Sequence, residues 1–538
     1  MCEEKNNVVE EEDDVISKCI GTYGRWQLRL TFLISLVNVM CTWHIFAFTF
    51  QAADKTVWCA RPKFVEEIDP QIWINYTQPV DHCSILDVSE LNSSVYTNIA
   101  NINKVTTNII PCDKWEFEPN GKTIIEDFNL VCSRKHFVNI AETSFLAGVA
   151  MGGLVGGIIS DRYGRKRTLM TCVFFQALLG TIIAVTPWFE MYVVLRALLG
   201  FISVAVVFSA FVLTVELVGG IWRTISGVSY LFPVAVSYMT ISGIAYLVRD
   251  WRHLQLAISL PGFLFLALNW TIPESPLWLL AMGRTQEVVT ILQRAAKVNG
   301  KQLPQNLDKQ LLTEPDMQTE QAGVLDLFKT PRLRRTTFLL CIIWFVYYLL
   351  YYGIVLNLGN IGGDLYLNST ISGAVEIPAI AITIPILLKV GKRWPLCLTI
   401  LIAGIACLLI VPMPYIYPEQ WIITTLAMLG KFSVSSTNVM APIFTAELYP
   451  TTIRNIGVGA SNVSAGIALI LVPYLWELKG IHQSVPMTLL GICAMIGGLT
   501  VLFLPDTGNE PLDATIKQQN SERRMSSARR MSRRDPSS

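Results

Sequence analysis

The sequence predicts an all-α polytopic membrane protein, with twelve transmembrane helices in two six-helix halves and a disulfide-stapled extracellular loop domain. Three observations predict this class: long apolar runs alternate with polar segments, the two halves share an internal similarity, and four cysteines lie in one polar loop. Of the 538 residues, 52% are hydrophobic and 15% are charged, whereas a soluble chain is usually about a quarter charged. The net charge of +1 does not point to any class of partner, because the charges are segregated by loop.

Apolar runs of about 20 residues are long enough to cross the hydrocarbon layer of a bilayer. We expect a cytoplasmic N-terminal tail, a first transmembrane helix, an extracellular loop domain, helices 2–6, a cytoplasmic insert, helices 7–12 and a basic cytoplasmic C-terminal tail. These segments cover residues 1–27, 28–50, 51–139, 140–273, 274–335, 336–505 and 506–538. The acidic start of the chain lacks the basic residues and apolar core of a cleaved signal peptide.

Basic residues orient the spans, because Lys and Arg concentrate on cytoplasmic loops. Those on predicted inner loops are Arg223, Lys389, Lys392, Arg393 and Arg454. Arg249 and Arg252 lie on a predicted outer loop and disagree, although Asp250 lies between them. The majority places both termini in the cytoplasm.

The long polar loop carries features of an extracellular domain. Its cysteines are Cys59, Cys83, Cys112 and Cys132, and its glycosylation sequons begin at Asn75 and Asn92. Four cysteines can form two disulfides in three possible pairings, which suits an oxidising compartment. A zinc site is the alternative, but the loop has no Cys-x-x-Cys pair.

The segment Gly157–Arg167 joins the apolar runs Thr143–Ser160 and Thr168–Pro187, and it carries four cations within six residues. This charge assigns the connector to the cytoplasm. Asp161 can accept hydrogen bonds from a neighbouring helix N-terminus, and Gly164 permits a tight turn. A generic basic loop explains only the cations, so we favour a connector that holds helix ends together.

The two halves repeat one pattern at the predicted inner face. Glu216 and Arg223 are seven residues apart, as are Glu447 and Arg454, and the two pairs are offset by 231 residues. Adding the same offset to the position of Asp161 gives that of Lys392, inside the short basic connector of the second half. Parallel halves related by an axis along the membrane normal are typical of transporters, with a substrate site between them near the midplane.

Several stretches resemble the major facilitator superfamily. The segment Gly157–Arg167 resembles its signature loop, and Arg196–Gly200 resembles its fourth-span motif. Further stretches resemble its organic cation/anion/carnitine transporter family: Pro111–Phe117, Ile124–Cys132, Pro273–Leu280 and Ala446–Asn455. The similarity extends from the first span to about Asp513. It implies the major facilitator fold, alternating access and small organic ions as substrates.

The chain departs from this family where substrate choice is decided. In the eleventh span, the family's cation carriers typically have an Asp and its anion and carnitine carriers an Arg, whereas alignment places Gly466 here. The fourth span has Val204 and Val207 where cation carriers often have Lys and Trp, and Leu277 replaces a usual Arg. The sign of the substrate charge therefore stays open.

Four ionisable residues lie inside predicted spans, where each costs about 3 kcal/mol at the bilayer centre. For Glu142, attraction of a cation and simple exposure at the outer interface are equal alternatives. Arg196 and Lys431 occupy positions that are typically basic in the resembling family, which favours structural or gating roles. Glu376 can pair with Lys431 and thereby neutralise both charges.

The seventh span is rich in aromatic residues. Positions 344, 348 and 351–352 share one helical face. Aromatic faces attract organic cations by about 0.5–2 kcal/mol each. An aromatic belt at the membrane interface is the alternative, but the residues lie near mid-span and favour a cavity lining. The candidate substrate-binding residues are Trp344, Tyr347, Tyr348, Tyr351, Tyr352, Glu376, Lys431, Glu142 and Gly466.

Charged residues at the predicted inner face are interpreted as a latch, whose salt bridges hold the outward-facing state and break as the halves rock. The candidate gating residues are Asp161, Arg165, Arg196, Glu216, Arg223, Glu447 and Arg454. In the C-terminal tail, Arg-Arg-Met-Ser repeats end at Ser526 and Ser532. They resemble basophilic-kinase sites, while binding to anionic lipid and a solvated basic tail are the alternatives.

We therefore expect a plasma-membrane carrier that moves small organic ions by alternating access, with potential-driven uptake of cations or zwitterions. An organic anion transporter or exchanger is the alternative, and a non-transporting receptor or trafficking protein on a carrier scaffold is the alternative of another class. The sequence contains no phosphate-binding loop, triad spacing or metal cluster, so neither an enzyme nor an ATP-driven pump is expected. The expected partners are the substrate, the bilayer and a kinase, with no cofactor, metal or nucleic acid.

Overall fold

Membrane-length α-helices make up most of the structure, which is a computed structural model. It describes residues 15–61, 69–77, 83–87, 108–303, 324–356, 363–416, 419–450 and 453–506. Within these ranges, 10 helical segments are long and apolar enough to cross a membrane. The more polar helix Gln420–Leu448 and the shorter helix Val485–Val501 bring the total to the predicted twelve. The predicted fold class is confirmed.

The first half contains spans 1 to 6, several of which are interrupted. Pro233 and Pro261 lie in the first turn of new helical segments within spans 5 and 6, because proline lacks the N–H that would continue the preceding helix. The bounds are Arg25–Ser35 with Asn38–Gln51 for span 1, His136–Tyr163 for span 2, Arg165–Ala184 for span 3, Phe189–Glu216 for span 4, Trp222–Ser229 with Phe232–Leu247 for span 5, and Trp251–Ser259, Pro261–Phe265 and the 3-10 turn Leu266–Trp270 for span 6.

The second half contains spans 7 to 12, and side-chain caps begin two of them. The Thr330 hydroxyl accepts a hydrogen bond at the start of span 7, and the Asp364 carboxylate accepts two at the start of span 8, which satisfies otherwise unpaired backbone N–H groups. The bounds are Pro331–Val355, Leu365–Lys389, Arg393–Ile410, Gln420–Leu448, Arg454–Leu475 and Val485–Val501.

The loop between spans 1 and 2 forms a small disulfide-bonded domain, at what we call the loop end of the helical bundle. Disulfides join Cys59 to Cys112 and Cys83 to Cys132. Strand β1 (Val57–Cys59) pairs antiparallel with β4 (Trp115–Phe117), and β2 (Ser84–Leu86) pairs with β3 (Ile109–Pro111). Short helices cover Pro70–Thr77 and Ile124–Asp127. The side chain of Asn75 is exposed, whereas Asn92 lies outside the described residues.

The opposite end, called the far end, carries three short helices packed together: Val15–Ile20, Pro276–Ala281 and Thr285–Asn299. Ile16, Cys19 and Ile20 contribute to their shared apolar core. The expected N-terminal tail is therefore partly helical. Ser526 and Ser532 of the C-terminal tail lie outside the described residues.

The tight turn predicted at the signature loop is present. Gly164 separates spans 2 and 3 and has a φ of 101°, a conformation that side chains other than glycine rarely adopt. A Cβ here would also lie 2.6 Å from the Glu274 carboxylate. Glycine is therefore required both by the backbone conformation and by the close approach of the loop after span 6.

Spans 2 and 11 bring the two halves together at the loop end and diverge toward the far end. A Cβ at Gly466 would lie 2.7 Å from the Cβ of Ala150. Gly157 of span 2 and Gly459 of span 11 lie seven residues closer to the far end. A Cβ at either position would have no described atom within 4 Å apart from the backbone of its own helix. Asn139 donates a 2.6 Å hydrogen bond to Glu477 at the loop end. Spans 2 and 11 therefore contact each other toward the loop end and separate toward the far end.

Spans 2 and 4 pack with their backbones in contact. A Cβ at Gly148 would collide with the carbonyl oxygen of Ala197, and a Cβ at Gly200 would collide with that of Phe145. Apolar burial does not drive helix association in lipid, so such close van der Waals contacts hold membrane helices together.

Gly148→Ala should therefore lower stability by about 1–3 kcal/mol, because the added methyl group separates two packed helices. Thermal unfolding of the purified protein in detergent measures this loss. The matched control is Gly243→Ala in span 5, where no described atom outside the helix backbone lies within 4 Å of the added methyl group; alanine should be neutral or stabilising by up to about 1 kcal/mol. Equal effects of the two changes would contradict the packing argument.

Candidate functional site

Three aromatic side chains of span 7 form a continuous stripe, here called the aromatic stripe. Trp344 stacks on Tyr348 with ring centroids 6.0 Å apart, and Tyr348 stacks on Tyr352 with centroids 5.9 Å apart. Residues four apart lie above one another on a helix, so the spacing in the sequence produces the stack. Trp344 is anchored by a 2.9 Å hydrogen bond from its indole nitrogen to the hydroxyl of Thr445 in span 10.

The stripe lies between the two halves. Tyr348 and Tyr352 are half-buried and contact an apolar cluster composed mainly of second-half residues. They also contact a cluster that contains Phe48, Phe145 and Leu199 of the first half. A substrate located between the halves would therefore meet the faces of the stripe.

The remaining two tyrosines of span 7 are buried. The Tyr347 ring packs edge-on against Trp344, with centroids 5.5 Å apart. Tyr351 faces span 8, where its hydroxyl donates a 3.0 Å hydrogen bond to Glu376. The five predicted aromatic residues thus divide into a stripe at the interface and two rings inside the second half.

A buried ion pair lies directly beside the stripe. The Lys431 ammonium lies 3.6 Å from the Glu376 carboxylate and 3.6 Å from the centre of the Tyr351 ring. Lys431 is completely buried, and the side chain of Glu376 is 5% exposed. Span 10 supplies the ammonium, span 8 the carboxylate and span 7 the phenol. Three spans thus meet in one neutral group of side chains.

The first half contributes buried charges of its own. The Arg196 guanidinium is buried between the rings of Phe145 and Phe48, 4.5 and 5.0 Å from their centroids. It also donates a 3.4 Å hydrogen bond to the His44 carbonyl. Glu142, which is half-buried on span 2, interacts electrostatically with Arg196.

Two of the predicted residues lie apart from the sets to which they were assigned. Arg196 precedes Glu216 by twenty residues in one helix, which separates them by about 30 Å, so the structure does not bring Arg196 to the other gating residues. Gly466 packs against Ala150 of span 2. Its position is a helix contact between the halves, and any larger side chain would have to displace span 2.

Each half has an ion-pair group at the far end that includes a residue of the predicted latch. In the first half, Arg165 lies 2.9 Å from Asp161 and 3.1 Å from Glu216. In the second half, Lys392 pairs with Glu447, and burial lowers the pKa of Lys392. Both groups join elements of a single half.

The arginines of the two predicted Glu–Arg pairs have other surroundings. Arg223 donates a 3.0 Å hydrogen bond from its Nε to the Val218 carbonyl. The Nε of Arg454 is buried and has no hydrogen-bond partner among the described residues. The carboxylate at the N-terminus of span 3 is that of Glu274, not of Asp161 as predicted. Glu274 accepts a 2.8 Å hydrogen bond from the backbone N–H of Lys166. Asp161 instead pairs with Arg165 and is largely exposed.

Sequence reasoning missed Tyr238, Thr445 and Glu274 as members of these groups. Tyr238 of span 5 lies 6.0 Å from Lys431, measured to its ring centre. Its partner lies on a span of the other half, and a single sequence contains no signal for such a contact. Glu274 belongs to the recognised segment Pro273–Leu280, and this was the available signal.

Comparison with known proteins identifies the family. Residues 127–517 match the family described as sugar (and other) transporter. A Drosophila melanogaster protein named organic cation transporter protein is 35% identical over 94% of each chain. The human solute carrier family 22 member 13 is 32% identical over 93% of this chain and 91% of that protein. The chain belongs to the organic cation/anion/carnitine transporter family of the major facilitator superfamily.

Solved structures agree with this family's fold. The partially occluded inward-open xylose transporter XylE of E. coli matches with a TM-score of 0.62 at 15% identity, covering 90% of this chain and 100% of that chain. The XylE structure bound to 6-bromo-6-deoxy-D-glucose matches with a TM-score of 0.61 at 16% identity, covering 90% and 98%. Membership of this transporter family makes the protein a membrane transporter and not an enzyme.

The buried ion pair of this transporter predicts a non-additive pair of substitutions. Lys431→Met should lower stability by about 3–5 kcal/mol, because it leaves the Glu376 carboxylate buried without a counter-charge. Lys431→Met combined with Glu376→Gln should recover most of this loss, since no uncompensated charge then remains. Thermal unfolding of the two single variants and the double variant measures the coupling. Additive losses would show that the two groups do not act as a pair.

Proposed function

We propose that this transporter takes up small organic cations or zwitterions across the plasma membrane by alternating access. The observation that carries the proposal is the aromatic stripe between the halves, next to an ion pair that is already neutral. Each aromatic face attracts an organic cation by about 0.5–2 kcal/mol, and more where water is excluded. The relative named organic cation transporter protein supports the same substrate class.

The surroundings of the buried Lys431 and Arg196 side chains favour a cationic or zwitterionic substrate over an anionic one. Lys431 is held by Glu376 and covered by Tyr351, and Arg196 is enclosed by two rings. An anion would have to separate one of these cations from its partners before binding it, whereas a cation can use the half-buried faces of Tyr348 and Tyr352 directly. Glu142 adds a carboxylate in the first half, although Arg196 offsets its charge.

The loop end is proposed to be extracellular, with both termini in the cytoplasm. In support, the loop end carries the two disulfides, which persist in oxidising compartments. It also carries the exposed Asn75 of a glycosylation sequon. The membrane potential would then drive uptake of a monovalent cation by about 2.3 kcal/mol per 100 mV.

Alternating access requires contacts that form only when the far end closes. We assign this role to the inner-face latch, in which Asp161 approaches the start of span 11 near Arg454. In support, Asp161 is largely exposed and Arg454 Nε is buried without a partner among the described residues. Closing the gap between Gly157 and Gly459 would bring these two helix ends together, where a carboxylate is favoured.

Uptake of a labelled quaternary ammonium in cells whose membrane potential is controlled tests the substrate class. We expect saturable uptake that falls on depolarisation. Tyr348→Leu should raise KM by about 2- to 30-fold, because it removes one aromatic face, whereas Tyr348→Phe retains the ring and should have little effect. The control is Phe338→Leu, which also removes an aromatic ring from span 7. The Phe338 side chain is 67% exposed on the outside of the helical bundle.

Three other outcomes would contradict the proposed substrate class, its driving force or its binding site. Uptake of an aromatic carboxylate without uptake of the quaternary ammonium would establish the organic anion alternative, in which Arg196 or Lys431 binds the substrate. Uptake of the ammonium that is indifferent to membrane potential would exclude potential-driven transport. Equal KM changes in Tyr348→Leu and Phe338→Leu would remove the stripe from the binding site.

Arg454→Gln tests the latch. Surface expression should be preserved, while the maximal rate of uptake should fall severalfold, because the far end cannot close stably. Surface biotinylation and initial-rate uptake measure the two quantities. The control is Arg334→Gln, which removes an exposed cation at the far end of span 7 and should leave the rate unchanged. An unchanged rate for Arg454→Gln would contradict the latch.

A further inference from the structure

A cavity of about 480 Å³ lies at the far end of the first half, away from the aromatic stripe. The ends of spans 1, 3 and 6 and the helix Thr285–Asn299 enclose it. Its lining includes Trp26, Lys166, Arg167, Trp270, Arg284 and Arg294. We propose that this cavity binds the phosphorylated headgroup of an anionic membrane lipid. The inference rests on the proposed topology, which makes the far end cytoplasmic, and not on the identity of the transported substrate.

The cavity lies at the end of span 6, beside apolar side chains on the outside of the bundle. Span 6 leads into it and exposes apolar side chains on the outer surface, with Leu264 77% and Trp270 85% exposed. Tryptophan is enriched at the level of the lipid headgroups. Because Trp270 both lines the cavity and marks this level, a lipid whose acyl chains lie along span 6 would carry its headgroup into the cavity.

The lining has an excess of positive charge. It contains four cations and the two carboxylates of Glu274 and Glu287. Glu287 pairs with Arg284, and Glu274 accepts hydrogen bonds from the backbone N–H groups of Lys166 and Ser275. No carboxylate of the described residues lies within ion-pair distance of Arg167 or Arg294, both of which are exposed. Two guanidinium groups are therefore available to a ligand.

The chemistry of these groups selects phosphate. Guanidinium groups bind phosphate oxygens through two parallel hydrogen bonds, and a cavity of this size matches the range of small-molecule sites, about 300–1,000 Å³. The cytoplasmic leaflet contains anionic lipids, and each nearby cation strengthens binding about fivefold. Arg167 belongs to span 3 and Arg294 to the helix Thr285–Asn299, so one polyphosphate headgroup would bridge the two elements.

The test uses the full chain in nanodiscs of phosphatidylcholine containing a small fraction of phosphatidylinositol bisphosphate. Native mass spectrometry measures the retained lipid. We expect the wild type to retain phosphatidylinositol bisphosphate in preference to phosphatidylcholine. The double variant Arg167→Gln/Arg294→Gln should lose about 30-fold in apparent affinity, about fivefold for each cation. The matched control is Arg162→Gln/Lys297→Gln, which removes two exposed cations from the same loop and the same helix outside the cavity.

Three results would overturn the inference. Retention without preference for the phosphorylated lipid would exclude a headgroup site. Equal losses in the control and the cavity variants would reduce the effect to general surface charge. Binding of soluble inositol trisphosphate as tight as that of the lipid would assign the cavity to a free phosphate compound. Uptake of the quaternary ammonium is measured separately, so failure of this inference and failure of the proposed transport are distinguishable.

Discussion

An ammonium group within a membrane span costs several kcal/mol unless the protein neutralises it. In this transporter Lys431 satisfies that constraint with a carboxylate from span 8 and a phenol from span 7. Holding these groups together fixes the relative positions of spans 7, 8 and 10. Tyr351 belongs to this network, so the helix that carries it cannot rotate freely, and the aromatic stripe on the same helix keeps its direction toward the first half.

The neutrality of the pair also shapes what the space between the halves can bind. A cavity with one unpaired charge would select the opposite charge strongly and would release it slowly. In the proposed site the principal attraction would come from the faces of Tyr348 and Tyr352, each of which would contribute only modestly. A carrier must release its substrate on the other side of the membrane, and several weak aromatic contacts are compatible with this requirement.

Much of this arrangement follows from local sequence, and the remainder depends on contacts between distant segments. The twelve spans follow from hydropathy, the aromatic stripe follows from residues four apart, and Gly164 was identified by the turn it permits. The disulfide pairing did not follow, because four cysteines allow three pairings and only the folded loop selects one. Likewise, the partner of Glu216 is Arg165 rather than a residue of its own motif. The path of the loop between spans 2 and 3 decides this, and spacing within one motif contains no information about it.

The ion pairs at the far end suit a structure that must change state. In this structure, Arg165 is bound to Glu216 and Lys392 to Glu447, each within one half. The side chains are 12% to 27% exposed, and partly exposed ion pairs contribute little net stability, about 1 kcal/mol or less at the surface. Exchanging such a pair for one between the halves therefore changes the free energy only slightly. Two conformations of similar free energy are what alternating access needs, because a substrate of modest affinity can then shift their populations.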